Sequence, residues 1–188
     1  MQKSYTIDLA IFIGLLLLVL LTRTSLHIAP NVEFVTAASV FAAWVMRNKK
    51  IALAFPVAAM FVSDLVIGNS YIFLFTWSGF LFPAVLALAN FSKQEETVGK
   101  KYFKFLGSGF VGVLLFYFWT NFGVVLLGNM YPNSLAGLMQ SYVNALPFLR
   151  NQVLGNIFIL HIFFGAYLIL ENVSERWTIL SKLHSQST

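Results

Sequence analysis

Between Phe118 and Arg150 the chain sets more hydrogen-bonding side chains into apolar surroundings than anywhere else. Trp119, Thr120 and Asn121 lie in the second half of a hydrophobic run. Gly128 to Asn133, with Tyr131-Pro132 at its turn, forms a loop, and an amphipathic stretch closes on Pro147, Arg150 and Asn151. An unpaired polar group inside a bilayer costs several kcal/mol, so such a cluster is either a binding site or a helix-packing network. Asp64 belongs with it, as an acid lying inside an apolar run rather than at its edge. An intramembrane carboxylate must be paired, hydrated or protonated, which makes Asp64 a functional candidate; the alternative is a helix cap or a structural ion pair.

Catalytic constellations are missing. The chain contains no H-E-x-x-H, no Walker A loop and no G-x-S-x-G, and His27, His161 and His184 are far apart. His161, in mid-helix, reads as a hydrogen-bonded packing residue rather than a ligand. With no cysteine there is neither a thiolate metal site nor a cysteine nucleophile. The expectation is a protein that is not an enzyme, with no cofactor and no metal. An ATP-driven pump in a single chain is excluded, so any energy input must come from a partner or an ion gradient.

The elements that must position these residues are membrane helices. Of 188 residues 59% are hydrophobic and 10% charged, against roughly 25% charged in a soluble domain. Mean hydropathy is +0.79. No polar interval is long enough to bury a core of its own, so residues 1–188 form one integral membrane domain. The class is all-α: six transmembrane helices at roughly 7–22, 33–46, 51–67, 71–91, 104–127 and 153–170, with a short amphipathic helix at 134–146 before the last. The residues after the first run offer no cleavage site, so it is an uncleaved helix rather than a signal peptide. The second segment is short for a hydrocarbon layer of roughly 30 Å, and the third carries Pro56. In the amphipathic stretch Leu135, Leu138, Met139, Tyr142 and Leu146 share a face, which predicts a helix lying on the membrane surface or lidding the bundle, ended by Pro147. The tail is expected to fray after Trp177.

A formal charge of +5 does not argue for nucleic acid, because the basic residues sit in short loops, where they set topology. With six spans, one side holds Lys3, Arg47, Lys49, Lys50, Lys93, Lys100, Lys101, Lys104, Arg176 and Lys182. Only Arg23 and Arg150 fall on the other. The positive-inside rule then puts both termini in the cytoplasm and places Glu33, Asp64, Asn69, Asn121, Arg150, Asn151 and Asn156 toward the outer side. Arg150 is the natural partner there for Asp64, Glu33 or an anionic ligand group. Trp77, Trp119, Tyr131 and Tyr142 either wall a pocket or belong to an interfacial aromatic belt.

Small residues one helical turn apart recur twice, at Ala10 and Gly14 and at Ala38 and Ala42. Such pairs let helices approach closely, within the bundle or against a partner. Six helices, cytoplasmic termini, a small-xxx-small pair on the first helix and an outward polar pocket resemble the substrate-binding S components of energy-coupling factor transporters. The strings Ser63-Asp64-Leu65-Val66-Ile67-Gly68, Thr120-Asn121-Phe122-Gly123, Tyr131-Pro132 and Ala145-Leu146-Pro147-Phe148, with Asn151 and Gly155, are similar to an uncharacterised family of small bacterial membrane proteins related to those components. The resemblance implies a protein of the bacterial cytoplasmic membrane that captures a small nutrient, such as a vitamin or its precursor, near the outer face. It would dock through Ala10 and Gly14 onto a transmembrane scaffold driven by two ATPases. Two other readings stay open: a stand-alone secondary transporter or channel, and a membrane assembly or scaffold protein.

Overall fold

The computed structural model describes residues 2–26, 31–92 and 96–186, and the side chains of 5–26, 31–92 and 96–174. Helices and no strands occur among them: α1 (Gln2–Thr24), α2 (Val35–Val45), α3 (Lys49–Ile67), α4 (Phe73–Gly79), α5 (Leu81–Asn90), α6 (Val98–Leu127) and α7 (Leu135–Gln186). Five stretches are long and apolar enough to cross a membrane: Tyr5–Thr24, Lys49–Ile67, Phe73–Asn90, Val98–Leu127 and Leu135–Ser174.

The second of the six expected helices is present but short. With 11 residues, α2 is only roughly 16 Å long, about half a hydrocarbon layer. It lies instead at the centre of the bundle, with every residue from Val35 to Trp44 buried. Its sequence fits this placement: Ala37, Ala38, Ser39, Ala42 and Ala43 let neighbours approach closely, while Val40, Phe41 and Trp44 form an apolar face that packs into them. Ala38 and Ala42 are fully buried there and serve packing within the bundle, which removes them as a docking surface. Ala10 and Gly14 are exposed, and a methyl group added at Gly14 would meet nothing within 4 Å.

Contacts along the helices fix their directions. Phe12 meets Phe55 and Arg23 meets Asp64 in the same order, so α1 and α3 run parallel. Phe41–Phe163 and Trp44–Tyr167 make α2 and α7 parallel. By contrast, Asn90–Ser108 with Phe80–Phe116, and Tyr102–His161 with Tyr117–Tyr142, make α6 antiparallel to both α5 and α7. One end of the bundle therefore gathers the start of α1, the α2–α3 turn and the start of α6. There Asp8, 1% exposed, accepts from the backbone N–H groups of Arg47 and Asn48 at 3.0 and 2.8 Å. Trp44 donates to the Ala87 carbonyl amid Phe91, Phe105 and Tyr167. The opposite end gathers Arg23, the entry to α2, the end of α3, the start of α4, the end of α6 and the start of α7.

Two prolines act differently from each other. Pro83, the third residue of α5, has no N–H for the Gly79 carbonyl, and the predicted 71–91 helix divides at Phe80 into α4 and α5. Gly112 passes so close to this proline that a Cβ would lie 2.8 Å from the Pro83 Cα. Pro147, expected to end a separate surface helix, lies inside α7 instead. Packing on α6 holds the helix on both sides of it: Ser141 and Tyr142 bond α6 before the proline, His161 and Glu171 after it. The Tyr117 hydroxyl donates to the carbonyl of Tyr142, next to the Val143 carbonyl that Pro147 leaves without its helical donor. These contacts outweigh a local break of about 3 kcal/mol. The face expected to cover the bundle is split: Leu135, Met139 and Leu146 are exposed, while Tyr142 packs on α6 and Ser141, off that face, is buried against it. Nor does the helix end at Trp177, since α7 continues to Gln186.

Candidate functional site

Helix ends bring charge together at the Arg23 end. Arg23 stands in the last turn of α1, where the partial negative charge of the helix terminus favours a cation, and Glu33 stands just before α2, where the opposite holds. Asp64, in the last turn of α3, faces the unfavourable pole and needs a counter-charge. Arg23 supplies it, with Nη2 on Asp64 Oδ1 and Nη1 on Glu33 Oε2, both at 2.9 Å. Trp77 of α4 donates its indole N–H to the other Asp64 oxygen at 2.8 Å. Gly68, at φ +87°, ends α3 directly after this group with its N–H on the Asp64 carbonyl, a backbone angle that favours glycine. The expected Asp64–Arg150 or Glu33–Arg150 pair is thus corrected. Arg150 is exposed and forms no ion pair among the described residues, because α7 turns it away from the bundle.

Beside this network two adjoining chambers of about 260 and 210 Å³ open between the loop before α2, α4, α6 and α7. Asn31, Phe116, Thr120 and Gln152 line both. Glu33, Thr76, Phe80 and Ile72 complete the smaller, and Tyr117, Asn121, Ala145, Phe148 and Leu149 the larger. Asn31 adopts a left-handed backbone, φ +61°, which asparagine tolerates better than most residues. On α6, Thr120 and Asn121 follow Gly109 and Gly112, which pack closely on Leu160 and Pro83.

Several expected site residues gather here and others do not. Glu33 and Asn121 line the chambers, and Asp64 and Trp77 stand behind Glu33 through Arg23. Asn121 is committed within the protein: its Nδ2 donates to the Tyr117 carbonyl and its Oδ1 accepts from Ser141. Trp119 faces outward, packs on Phe75 and donates to Ser78. The Tyr131 hydroxyl accepts from Asn144, Asn69 is exposed, and Asn151 lines neither chamber. Asn156 is 2% exposed, one turn below Gln152; its Nδ2 donates to the Gln152 carbonyl and its Oδ1 has no partner. His161 holds the Ile157 carbonyl and Tyr102, as a packing histidine does. His27, Lys93 and Glu95 lie outside the described residues, as do the side chains of Arg176, Lys182 and His184.

Thr76, Gln152 and the role of Arg23 are the residues that sequence reasoning missed. Gln152 carried a readable signal, because Ala145, Leu149, Gln152 and Asn156 share one helical face once the helix runs through Pro147. Arg150 and Asn151 fall off that face. Asp64 is also not alone as a buried acid, for Asp8 is more deeply buried at the other end.

A family model of unknown function, DUF6580, matches residues 3–178. The chain belongs to this family. No curated protein and no solved structure matches it. In this DUF6580 chain, therefore, the chambers must be read from their own chemistry: aromatic walls, hydroxyl and carboxamide groups, and a carboxylate already held by an arginine. Such a site can orient a small molecule by hydrogen bonds. Among the described residues it contains no group of His, Cys, Asp and Glu able to hold a metal ion.

Proposed function

We propose that this chain is a membrane-embedded binding protein of the bacterial cytoplasmic membrane, similar in role to the S component of an energy-coupling factor transporter. It captures a small nutrient, such as a vitamin or its precursor, in the chambers at the Arg23 end. The observation that carries this reading is the pair of chambers itself, lined by polar side chains from four elements, with Gln152 facing both. The space between these side chains, with the Gln152 carboxamide open to it, supports a binding role over a packing network. Six passes are counted with α2 as the short central one, and both termini are cytoplasmic. The bundle end with Arg47, Lys49, Lys50, Lys100, Lys101 and Lys104 is the inner one and the Arg23 end the outer one. Uptake uses a partner module, which docks on the open Ala10 and Gly14 surface of α1. Asp64 does not touch the ligand; it holds Arg23, and Arg23 holds Glu33 at the chamber wall.

The test is a thermal-shift screen of the purified protein in detergent against vitamins, their precursors and nucleobases. A ligand at a hundredfold excess over its Kd adds about 2.7 kcal/mol of stability. We expect a stabilising compound whose effect disappears in Thr120→Val and persists in Arg150→Gln. A screen without any stabiliser, with Thr120→Val lowering the melting temperature of the unliganded protein, would reassign the polar groups to helix packing and favour a membrane assembly role.

A further inference from the structure

Gln152 is 8% exposed, lines both chambers, and its carboxamide has no hydrogen-bond partner among the described residues. Its amide atoms open to the chambers rather than being sealed in the protein, whereas Thr76, Thr120 and Asn121 are bonded within the protein and the Asn156 Oδ1, one turn deeper, is sealed and unpaired. A carboxamide places an N–H donor and a carbonyl acceptor side by side in one plane. Its natural complement is a ring edge with an acceptor beside a donor, the bidentate pairing that glutamine makes with an adenine edge.

The remaining groups narrow the ligand further. Thr76 and Thr120 donate their hydroxyls to the carbonyls of Ile72 and Phe116, at 3.3 and 2.8 Å, so each offers only lone pairs to the chambers. The Glu33 carboxylate, paired with Arg23 on the wall of the smaller chamber, adds negative charge that disfavours anions. Phe80 and Phe116, with ring centroids 4.4 Å apart, give that chamber an aromatic wall, and Phe116 continues into the larger one. Each chamber is smaller than the roughly 300–1,000 Å³ of pockets for drug-sized ligands, which suits one ring system.

We infer that Gln152 is the specificity-determining residue of the chambers. It reads the edge of an uncharged, amino-substituted nitrogen heterocycle whose further N–H groups are taken by Thr76 and Thr120. The inference rests on the proposed binding role and names the ligand class and the residue that selects it. Adenine, cytosine and 2-aminopyrimidine at millimolar concentration serve as probes, with purine as the analogue lacking the amino group, and benzoate and phosphate as anionic controls. Isothermal titration and thermal shift of the full chain in detergent are the readouts.

At least one amino heterocycle should bind, with purine and the anions weaker. Gln152→Leu should weaken the amino heterocycle roughly tenfold to a hundredfold, the worth of one bidentate pair. The same variant should not lower the melting temperature of the unliganded protein, because the amide it removes makes no hydrogen bond among the described residues. Binding of an anion with no heterocycle bound overturns the ligand class while leaving the chambers as a binding site. Equal heterocycle binding by Gln152→Leu overturns the assignment of the reader. No binding by any probe overturns the inference, and if Gln152→Leu is also destabilised the binding role falls with it.

Discussion

Replacing Arg23 with methionine removes a cation that two acids share. The Arg23 and Asp64 side chains are 9% and 8% exposed, and Glu33 is 34% exposed. Water can take over part of the Glu33 charge but little of the Asp64 charge, which would keep only the Trp77 hydrogen bond. Removing one partner of a buried pair costs about 3–5 kcal/mol, against about 0–1 kcal/mol for an exposed pair. Arg23→Met should therefore lose about 3–5 kcal/mol of unfolding free energy in an SDS titration of the protein in mixed micelles. Adding Asp64→Leu should restore much of it, because a buried pair replaced by apolar groups is often close to neutral. Arg150→Met, at an exposed position without an ion pair, should stay within about 0.5 kcal/mol of the parent. A loss under about 1 kcal/mol in Arg23→Met, or an equal loss in Arg150→Met, would refute the network as the brace of this end of the bundle.

Three further outcomes follow from other contacts. Gly112→Ala should cost about 1–3 kcal/mol, because its Cβ would meet Pro83 Cβ at 2.6 Å and Cα at 2.8 Å, while Gly14→Ala, with open space around it, should be neutral or slightly stabilising; melting temperatures of the two variants decide this. Asp8→Ala should lose about 1–3 kcal/mol, since it frees the backbone N–H groups of Arg47 and Asn48, and faster hydrogen exchange confined to the α2–α3 turn would check the cause. The chain has no cysteine, so single cysteines report topology cleanly: Asn133→Cys should react with a membrane-impermeant thiol reagent in intact cells, and Thr97→Cys only after permeabilisation. The reverse pattern would invert the proposed orientation.

The apolar runs that became α1, α3 and α6 were legible because nothing local or distant contradicts them: each is long, uncharged in its middle and bounded by polar residues. Pro147 misled because a local rule met a stronger distant one. The hydrogen bonds from α6 that hold both sides of this proline join residues 20–70 positions apart, and no window of sequence contains them. The mistaken break also hid the face that lines the chambers, since Ala145 and Leu149 stand on opposite sides of Pro147 and their common phase with Gln152 appears only in a continuous helix.

The partner of Asp64 was obscured differently. Charge was weighed by membrane side, where Arg23 and Arg150 look equivalent, although helix direction separates them. α1 and α3 run parallel; Asp8 and Arg23 lie 15 residues apart on one, and Asn48, whose N–H Asp8 holds, precedes Asp64 by 16 on the other. That is about 22 to 24 Å of helix rise. Asp8 fastened to the turn before Lys49 therefore sets Arg23 at the depth of Asp64, and the two contacts specify one register between the same pair of helices. A shift of one residue would carry both off by about 100°, so the pairing at each end supports the pairing at the other. The buried charges at the two ends of α1 thus act as a ruler, and the chamber wall at Glu33 takes its position from it.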